Sequence, residues 1–305
     1  MSQENGATDL VQLEAVPALA GLYRRALLTT AARRVARKGA PSDLPAVRHR
    51  VGGVRVELPA ITCFQHLLGS AARDQLPSAY LHTVAFPVAM SVLARPDFPL
   101  PLLGMVHLSN EVRQERQVGV SETLDVVAWS EALRPHPAGT QVDLMTEIAV
   151  DGERVWSGRS VYLARGIRAV GAPERSPVER PAFVPPVPTG LWRLDADLGR
   201  RYAAVSGDWN PLHLSGPSAR LLGMKGAIAH GMYLAARMVD EAVPAPSGAL
   251  SWRVDFATPV PLPGRVALSF ASPTGEVAAA GSRVDVVGWD AKRRRPHFTG
   301  WVRAE

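Results

Sequence analysis

Tyr202-Ala-Ala-Val-Ser206-Gly207-Asp208-Trp209-Asn210-Pro211-Leu-His213 places an acid and an imidazole five residues apart on a segment that cannot be regular helix. Gly207 frees the backbone for unusual angles, Pro211 lacks an N–H, and its ring pushes Asn210 toward extended geometry. The run from Asp208 to His213 is therefore predicted to be a fixed turn presenting two titratable side chains toward one spot. A second run, Ile228-Ala-His230-Gly231-Met232, follows, with His230 seventeen residues after His213 and His230-Gly231 reading as a helix start.

Outward from this stretch the pattern is regular. A helix is predicted from about His230 to Val243, apolar or small at Met232, Leu234, Ala235, Ala236, Met238 and Val239, and ended by Pro244. Strands are predicted at Leu250 to Ala257, Arg265 to Ala271, Val277 to Trp289 and His297 to Val302. The first half has the same order. Tyr80 to Ala94 reads as a buried helix kinked at Pro87. Alternating runs follow at Leu103 to Val112, Val120 to Trp129, Gln141 to Val150 and Arg154 to Leu163, with Asp151-Gly152 as a hairpin turn. His82 and His230 are read as matching positions at the two helix starts. One helix followed by an antiparallel meander, occurring twice, is an internal duplication of an α+β unit. Six prolines between Gly166 and Gly190 mark an extended connector. The expected division is an N-terminal extension at 1–47, helical over Leu19 to Val35, a first repeat at 48–165, the connector at 166–190 and a second repeat at 191–305.

Composition narrows the function classes. Hydrophobic residues make up 47% and charged residues 20% of the 305, the balance of a globular chain, and no apolar run reaches the length of a membrane span. The net charge of +6 rests on arginine, since lysine occurs only at 38, 225 and 292. Such a surface suits anionic partners, whether phosphate-bearing small molecules or an acidic carrier protein, and no nucleic-acid motif accompanies it. The single cysteine, Cys63, allows no internal disulfide and is expected in or near a core. The first residues are polar and acidic at Glu4, Asp9 and Glu14, which speaks against an export signal and for the cytoplasm. The basic helix from Leu19 either packs on the main body or touches a membrane or acidic carrier. The run Lys292-Arg293-Arg294-Arg295 is either a solvated hairpin or a contact for phosphates or a carrier protein.

The two runs between Tyr202 and Met232 together resemble the signature of MaoC-like dehydratases, the R-specific enoyl-CoA hydratases, in their two-repeat, double hot dog form. In two-repeat members the first repeat lacks the acid and imidazole, and here Cys63 to Leu76 contains no Asp-x-Asn-Pro-x-His. The resemblance implies two repeats, each with a long central helix wrapped by a curved antiparallel sheet. It also implies hydration of trans-2-enoyl thioesters and dehydration of (3R)-hydroxyacyl thioesters in fatty-acid metabolism. The thioester is carried on CoA or acyl carrier protein, and no cofactor, metal, nucleic acid or membrane span is implied; since two repeats in one chain already make the dimer-like unit, monomer and homodimer both stay open.

The residues fit that chemistry on their own terms. Adding water across a double bond conjugated to a thioester needs a held water, a proton acceptor, a proton donor to C2, and stabilisation of a developing enolate. Asp208 and His213 are the expected catalytic pair, gripping one water and exchanging its protons on one face of the double bond. The backbone N–H of Gly231 is the expected oxyanion donor, at a helix start where the dipole favours negative charge and no side chain obstructs approach. Ser206, Gly207, Asn210, Pro211 and His230 are expected to shape the site. Ser206 orients Asp208; Asn210 shapes the turn or bonds a neighbouring loop; His230 caps or packs the helix start or touches substrate. Tyr202 and Trp209 are read as packing residues. His49, His66, His82, His107, His136 and His297 have no ligand-type spacing. Small residues around Pro87, at Ala85, Ala89 and Ser91, suggest an acyl-chain pocket in the first repeat and chains longer than a few carbons. Two other functions compete: a hot dog thioesterase, against which the Asp-x-Asn-Pro-x-His loop argues, and a non-catalytic acyl-thioester-binding or scaffold subunit of a lipid-metabolism complex, against which the retained pair argues.

Overall fold

The computed structural model describes residues 9–26, 43–171, 182–243, 248–272, 281 and 283–305. Its elements are β1 (Asp9–Gln12), β2 (Val47–Val54), α1 (Leu58–Leu68), α2 (Ser78–Leu93), β3 (Met105–Gln114), β4 (Leu124–His136), β5 (Gly139–Val150), β6 (Glu153–Arg165) and β7 (Gly190–Leu194). They continue as α3 (Leu198–Ser206), α4 (Pro211–Leu214), α5 (Gly216–Leu221), α6 (Gly231–Ala242), β8 (Leu250–Phe256), β9 (Gly264–Ala271), β10 (Arg283–Asp290) and β11 (Arg295–Ala304). Residues 19–26 are helical; the rest of the expected N-terminal helix, three of the connector prolines, Pro244 and most of 277–282 lie outside the described residues.

Contacts divide the chain into two units. The first holds residues 1–55, 85–107 and 123–175, and the second 56–84, 108–122 and 176–305. In the first unit the strands run β1-β2-β4-β5-β6. β4 alternates buried and half-buried residues along its first seven positions, as a sheet with one face on a core must. Asp151 and Gly152 join β5 to β6 with φ of 51° and 82°, the paired left-handed angles of the tight hairpin their types predict. One pair departs from the antiparallel expectation: β1 runs parallel to β2, Asp9 beside Val47. Four polar-flanked residues carry no period to announce such a strand.

In the second unit the strands run β3-β8-β11-β10-β9-β7, all antiparallel where paired. Helix α6 turns Tyr233, Leu234, Ala235, Ala236, Met238 and Val239 inward. Met238 seats against β11 at Gly300, where an added Cβ would come within 2.7 Å of its sulfur. The charge run forms the turn between β10 and β11, closed by Asp290 Oδ1 accepting from the Lys292 and Arg293 amides, so the hairpin half of that expectation holds.

The duplication is visible inside this second unit. Helices α1 and α3 both end at a left-handed glycine, Gly69 with φ 88° and Gly207 with φ 73°. Five residues before each glycine stands an aromatic ring, Phe64 and Tyr202, and each meets edge-on a tyrosine in the first turn of a later helix, α2 and α6 respectively. Phe64 and Tyr80 centroids are 5.1 Å apart at 73°, Tyr202 and Tyr233 5.9 Å at 77°. The strand-like crossings before those helices also match. Leu76 N–H donates to Val118 O at 2.8 Å and Val120 N–H to Asp74 O at 2.7 Å, while Ala229 N–H donates to Val260 O and Leu262 N–H to Ala227 O, both at 2.9 Å. These anchors pair Gly69 with Gly207, Leu76 with Ala229, and Ser78 with Gly231.

Between the anchors the first repeat uses six residues, 70–75, where the second uses twenty-one, 208–228. Ser70 therefore stands in the place of Asp208, Pro77 in that of His230, and nothing answers to His213. His82, expected to match His230, lies four residues into α2 and pairs with Ala235. Cys63, expected in a core, is exposed on α1.

Candidate functional site

Helix α3 delivers the acid. Its last residue, Ser206, donates through Oγ to Tyr202 O at 2.8 Å and accepts from the Asp208 N–H at 3.2 Å, so the hydroxyl bridges the helix end to the acid's backbone. Gly207 caps the helix in the left-handed region, where an L side chain costs roughly 1–2 kcal/mol. Asp208 Oδ1 accepts from the Asn210 N–H at 3.3 Å, and Asn210 Oδ1 accepts from the Leu212 N–H at 3.2 Å. Asn210 is thus the N-cap of α4, with Pro211 in the first turn where a missing N–H is harmless.

The predicted turn accordingly spans only 207–210, and His213 rides on the single-turn helix α4. A capped turn needs only four residues, and Pro211 starts a new helix as readily as it ends an old one. The imidazole is held from the ring and from the backbone. Its Nδ1–H donates to Ile228 O at 2.9 Å, which leaves Nε2 unprotonated. Gly199 lies against its carbonyl so closely that an added Cβ would sit 1.8 Å from His213 O. Arg200 Nη1 donates to the next carbonyl, Leu214 O, at 3.1 Å. Gly199 and Arg200 were not among the expected site residues; a glycine in a first helical turn gives no sequence signal that a carbonyl passes over it.

His230 belongs to the site. It occupies the N-cap position of α6 but makes no side-chain cap; its Nε2–H donates instead to Asp208 O at 3.0 Å, and Nε2 is 3.8 Å from Asp208 Oδ2. Its ring stacks on His213 with centroids 3.7 Å apart and packs against Tyr202 at 4.8 Å. With Nε2 protonated, Nδ1 is a buried lone pair without a hydrogen-bond partner among the described residues. One carboxylate oxygen of Asp208 and one ring nitrogen of each histidine lie within 4.8 Å of one another. That spacing admits one bridging water. It is also the donor set of a metal site, although one nitrogen of each ring already serves a carbonyl.

The electrostatics follow from burial. Desolvation lowers the His213 pKa below 6.5, against the Ile228 carbonyl and the Asp208 charge, which both raise it. Desolvation also pushes His230 well below 6.5, reinforced by His213 and opposed by the Asp208 carbonyl. Both rings are therefore neutral at pH 7. Tyr202 is buried and its hydroxyl is pushed up by desolvation, so it remains a neutral wall. Trp209, expected to pack, is 50% exposed. Gly231 opens α6, so its N–H has no acceptor within the helix. An added Cβ there would meet the Phe256 ring at 3.0 Å, a reason for glycine beyond approach to a ligand.

Residues 174–283 match the family described as MaoC like domain. The 3-hydroxyacyl-thioester dehydratase X of Mycobacterium tuberculosis (strain ATCC 25618 / H37Rv) is 31% identical over 248 residues, covering 80% of this chain and 84% of the relative. The crystal structure of HtdX of Mycobacterium tuberculosis matches with a TM-score of 0.72 at 28% identity, over 85% of this chain and 100% of its own. A MaoC-like dehydratase from Phytophthora capsici matches with a TM-score of 0.61 at 17% identity, over 85% and 95%, a likeness of fold alone. The fold is the α+β double hot dog that the sequence predicts.

Proposed function

The chain belongs to the MaoC-like dehydratase family, and we propose that it hydrates trans-2-enoyl thioesters with R stereochemistry and, in reverse, dehydrates (3R)-hydroxyacyl thioesters. Asp208 and His213 are the catalytic residues. The observation that carries this reading is the fixed tautomer of His213: with Nδ1–H committed to Ile228 O, a neutral Nε2 is left as a base beside the Asp208 carboxylate.

A water held between the pair gives its oxygen to C3 while the pair takes one of its protons. The electron pair of the double bond moves toward the thioester carbonyl, and the enolate oxygen meets the Gly231 N–H at the positive end of α6. The pair then returns the proton to C2, so the elements of water are added and nothing is oxidised. Ser206, Gly207, Asn210 and Pro211 hold the acid and the imidazole in register, and His230 packs the imidazole's other face. The second repeat, 191–305, is the catalytic one. The first, 48–165, supplies the acyl-chain pocket around Pro87, and activity confined to short chains would remove that part of the reading. The carrier is CoA or acyl carrier protein. No helix among the described residues is long and apolar enough to cross a membrane.

Loss of the conjugated-enoyl absorbance on adding the purified chain tests the activity, and chiral analysis of the product tests its hand. Asp208→Asn and His213→Ala are each expected to lower kcat by about 10²–10⁴-fold. Unchanged turnover in both would sink the mechanism. Since the proposed steps need no ion, activity is expected to survive exhaustive chelation; loss restored by a divalent cation would reassign the three-residue cluster to a metal.

A further inference from the structure

We propose that the place in the first repeat corresponding to the catalytic loop has become a second, non-catalytic site that binds the amide-bearing pantetheine arm of a thioester; the choice of ligand rests on the proposed function. A shallow cleft there opens to solvent between the segment 70–79 and the C-terminal half of α6. Its lining includes Ser70 and Ser78, which occupy the places of Asp208 and Gly231.

The chemistry has been replaced rather than erased. No imidazole lines the cleft among the described residues, and the fifteen extra residues that carry His213 are missing from this repeat. A carboxylate is present but comes from the opposite helix: Ser70 Oγ donates to Asp240 Oδ2. Burial raises the pKa of Asp240, while Arg73, also lining the cleft, counters with its positive charge. The cleft thus calls for no further cation. Its strongest unmet demand is for a neutral hydrogen-bond donor. Gln114 is 1% exposed, and while its Nε2 donates to Arg116 O at 2.8 Å, its Oε1 has no hydrogen-bond partner among the described residues. A buried acceptor left in that state forgoes the hydrogen bond that water would have given it. An amide N–H satisfies it, and the walls beside it, Leu76 and Val239 among them, are apolar. A pantetheine arm alternates amides with short alkyl segments. The duplication places two residues of this cleft, Ser70 and Ser78, at the positions of the catalytic acid and the proposed oxyanion donor.

The full-length chain is titrated calorimetrically with the S-ethyl thioether of pantetheine, which cannot react, while enoyl-thioester turnover is followed in parallel. Two equivalents are expected to bind. Ala71→Trp, on the exposed rim, and Gln114→Leu are each expected to remove one equivalent and leave kcat unchanged; the rim variant alters no core residue and so guards against misfolding of the other. One equivalent in the unmodified chain, or two that survive both variants, overturns the proposal. A chain without turnover that still loses one equivalent in the variants overturns the function proposed above and leaves this site standing.

Discussion

His213 and His230 stack at 3.7 Å, a distance at which two imidazolium charges would repel strongly. Burial and mutual proximity both keep the rings neutral, and the two carbonyl acceptors, Ile228 O and Asp208 O, fix which nitrogen carries each proton. A neutral base at His213 has a measurable consequence. Because its pKa is lowered from 6.5, the active form persists as pH falls through 6.5 and is lost only as pH drops through the lower folded value. The acid limb of kcat/KM is therefore expected below pH 6.5, with a plateau from there to neutral pH. A limb centred at or above 6.5 in a pH–rate profile would mean that Asp208 outweighs burial and that the imidazole rests protonated. Asp208, Asn210, Pro211 and His213 were legible in the sequence because cap and turn chemistry is local, written within six residues. His230 was expected to shape the site, but its contacts were not legible, since Asp208 O and His213 come from twenty-two and seventeen residues upstream.

The imidazole's support is a matter of elements. Helices α4 and α5 fall within the length that the first repeat lacks, and they are tied down by few contacts. Ile228 N–H donates to Leu212 O at 3.2 Å, Ser218 Oγ donates to Pro211 O at 2.7 Å, and the first turn of α3 presses on the His213 and Leu214 carbonyls through Gly199 and Arg200. Gly199→Ala puts a methyl where the His213 carbonyl now lies, so α3 and α4 must separate. Overpacking of this kind costs about 1–3 kcal/mol, and a displacement near 1 Å lowers turnover by about 10²-fold. The variant is expected to stay folded by circular dichroism and to lose kcat by that order, with KM for the enoyl thioester little changed. A variant with wild-type kcat would show that α4 carries its own position. The long helices and most strands were legible because their periods run over many residues. The strand β1 was not, because four residues pairing in parallel depend on a distant partner. The helix match that paired His82 with His230 failed for a related reason: apolar helices look alike at several offsets, and only the backbone crossings at Leu76 and Ala229 set the register.

Across the whole molecule the buried histidines couple folding to pH. His49, in the first unit, donates through Nδ1–H to Ser91 Oγ at 2.6 Å, the hydroxyl itself donating to Val88 O, and burial, aided by the Arg95 charge and opposed by Asp97, lowers its pKa to about 4. His82, in the second unit, is lowered to about 4 by burial. Each is 5% exposed. Unfolded, both would titrate near 6.5, so between pH 6.5 and 4 the unfolded chain binds protons that the folded chain refuses. Above 6.5 neither contributes a pH dependence. Below it, each removes about 1.4 kcal/mol of stability per pH unit until its folded value is reached. The carboxylates held low by arginine, such as Asp125 beside Arg50, add their loss only in more acid solution, because their unfolded values already lie near 4. Urea denaturation at pH 7.5, 6.5, 5.5 and 4.5 should therefore give a flat upper range and a fall beginning at 6.5. Replacing His82 with Leu should reduce the slope of that fall by one proton, whatever it does to stability at pH 7.5. An unchanged slope would place the His82 proton on the folded chain as well and contradict its burial as the cause.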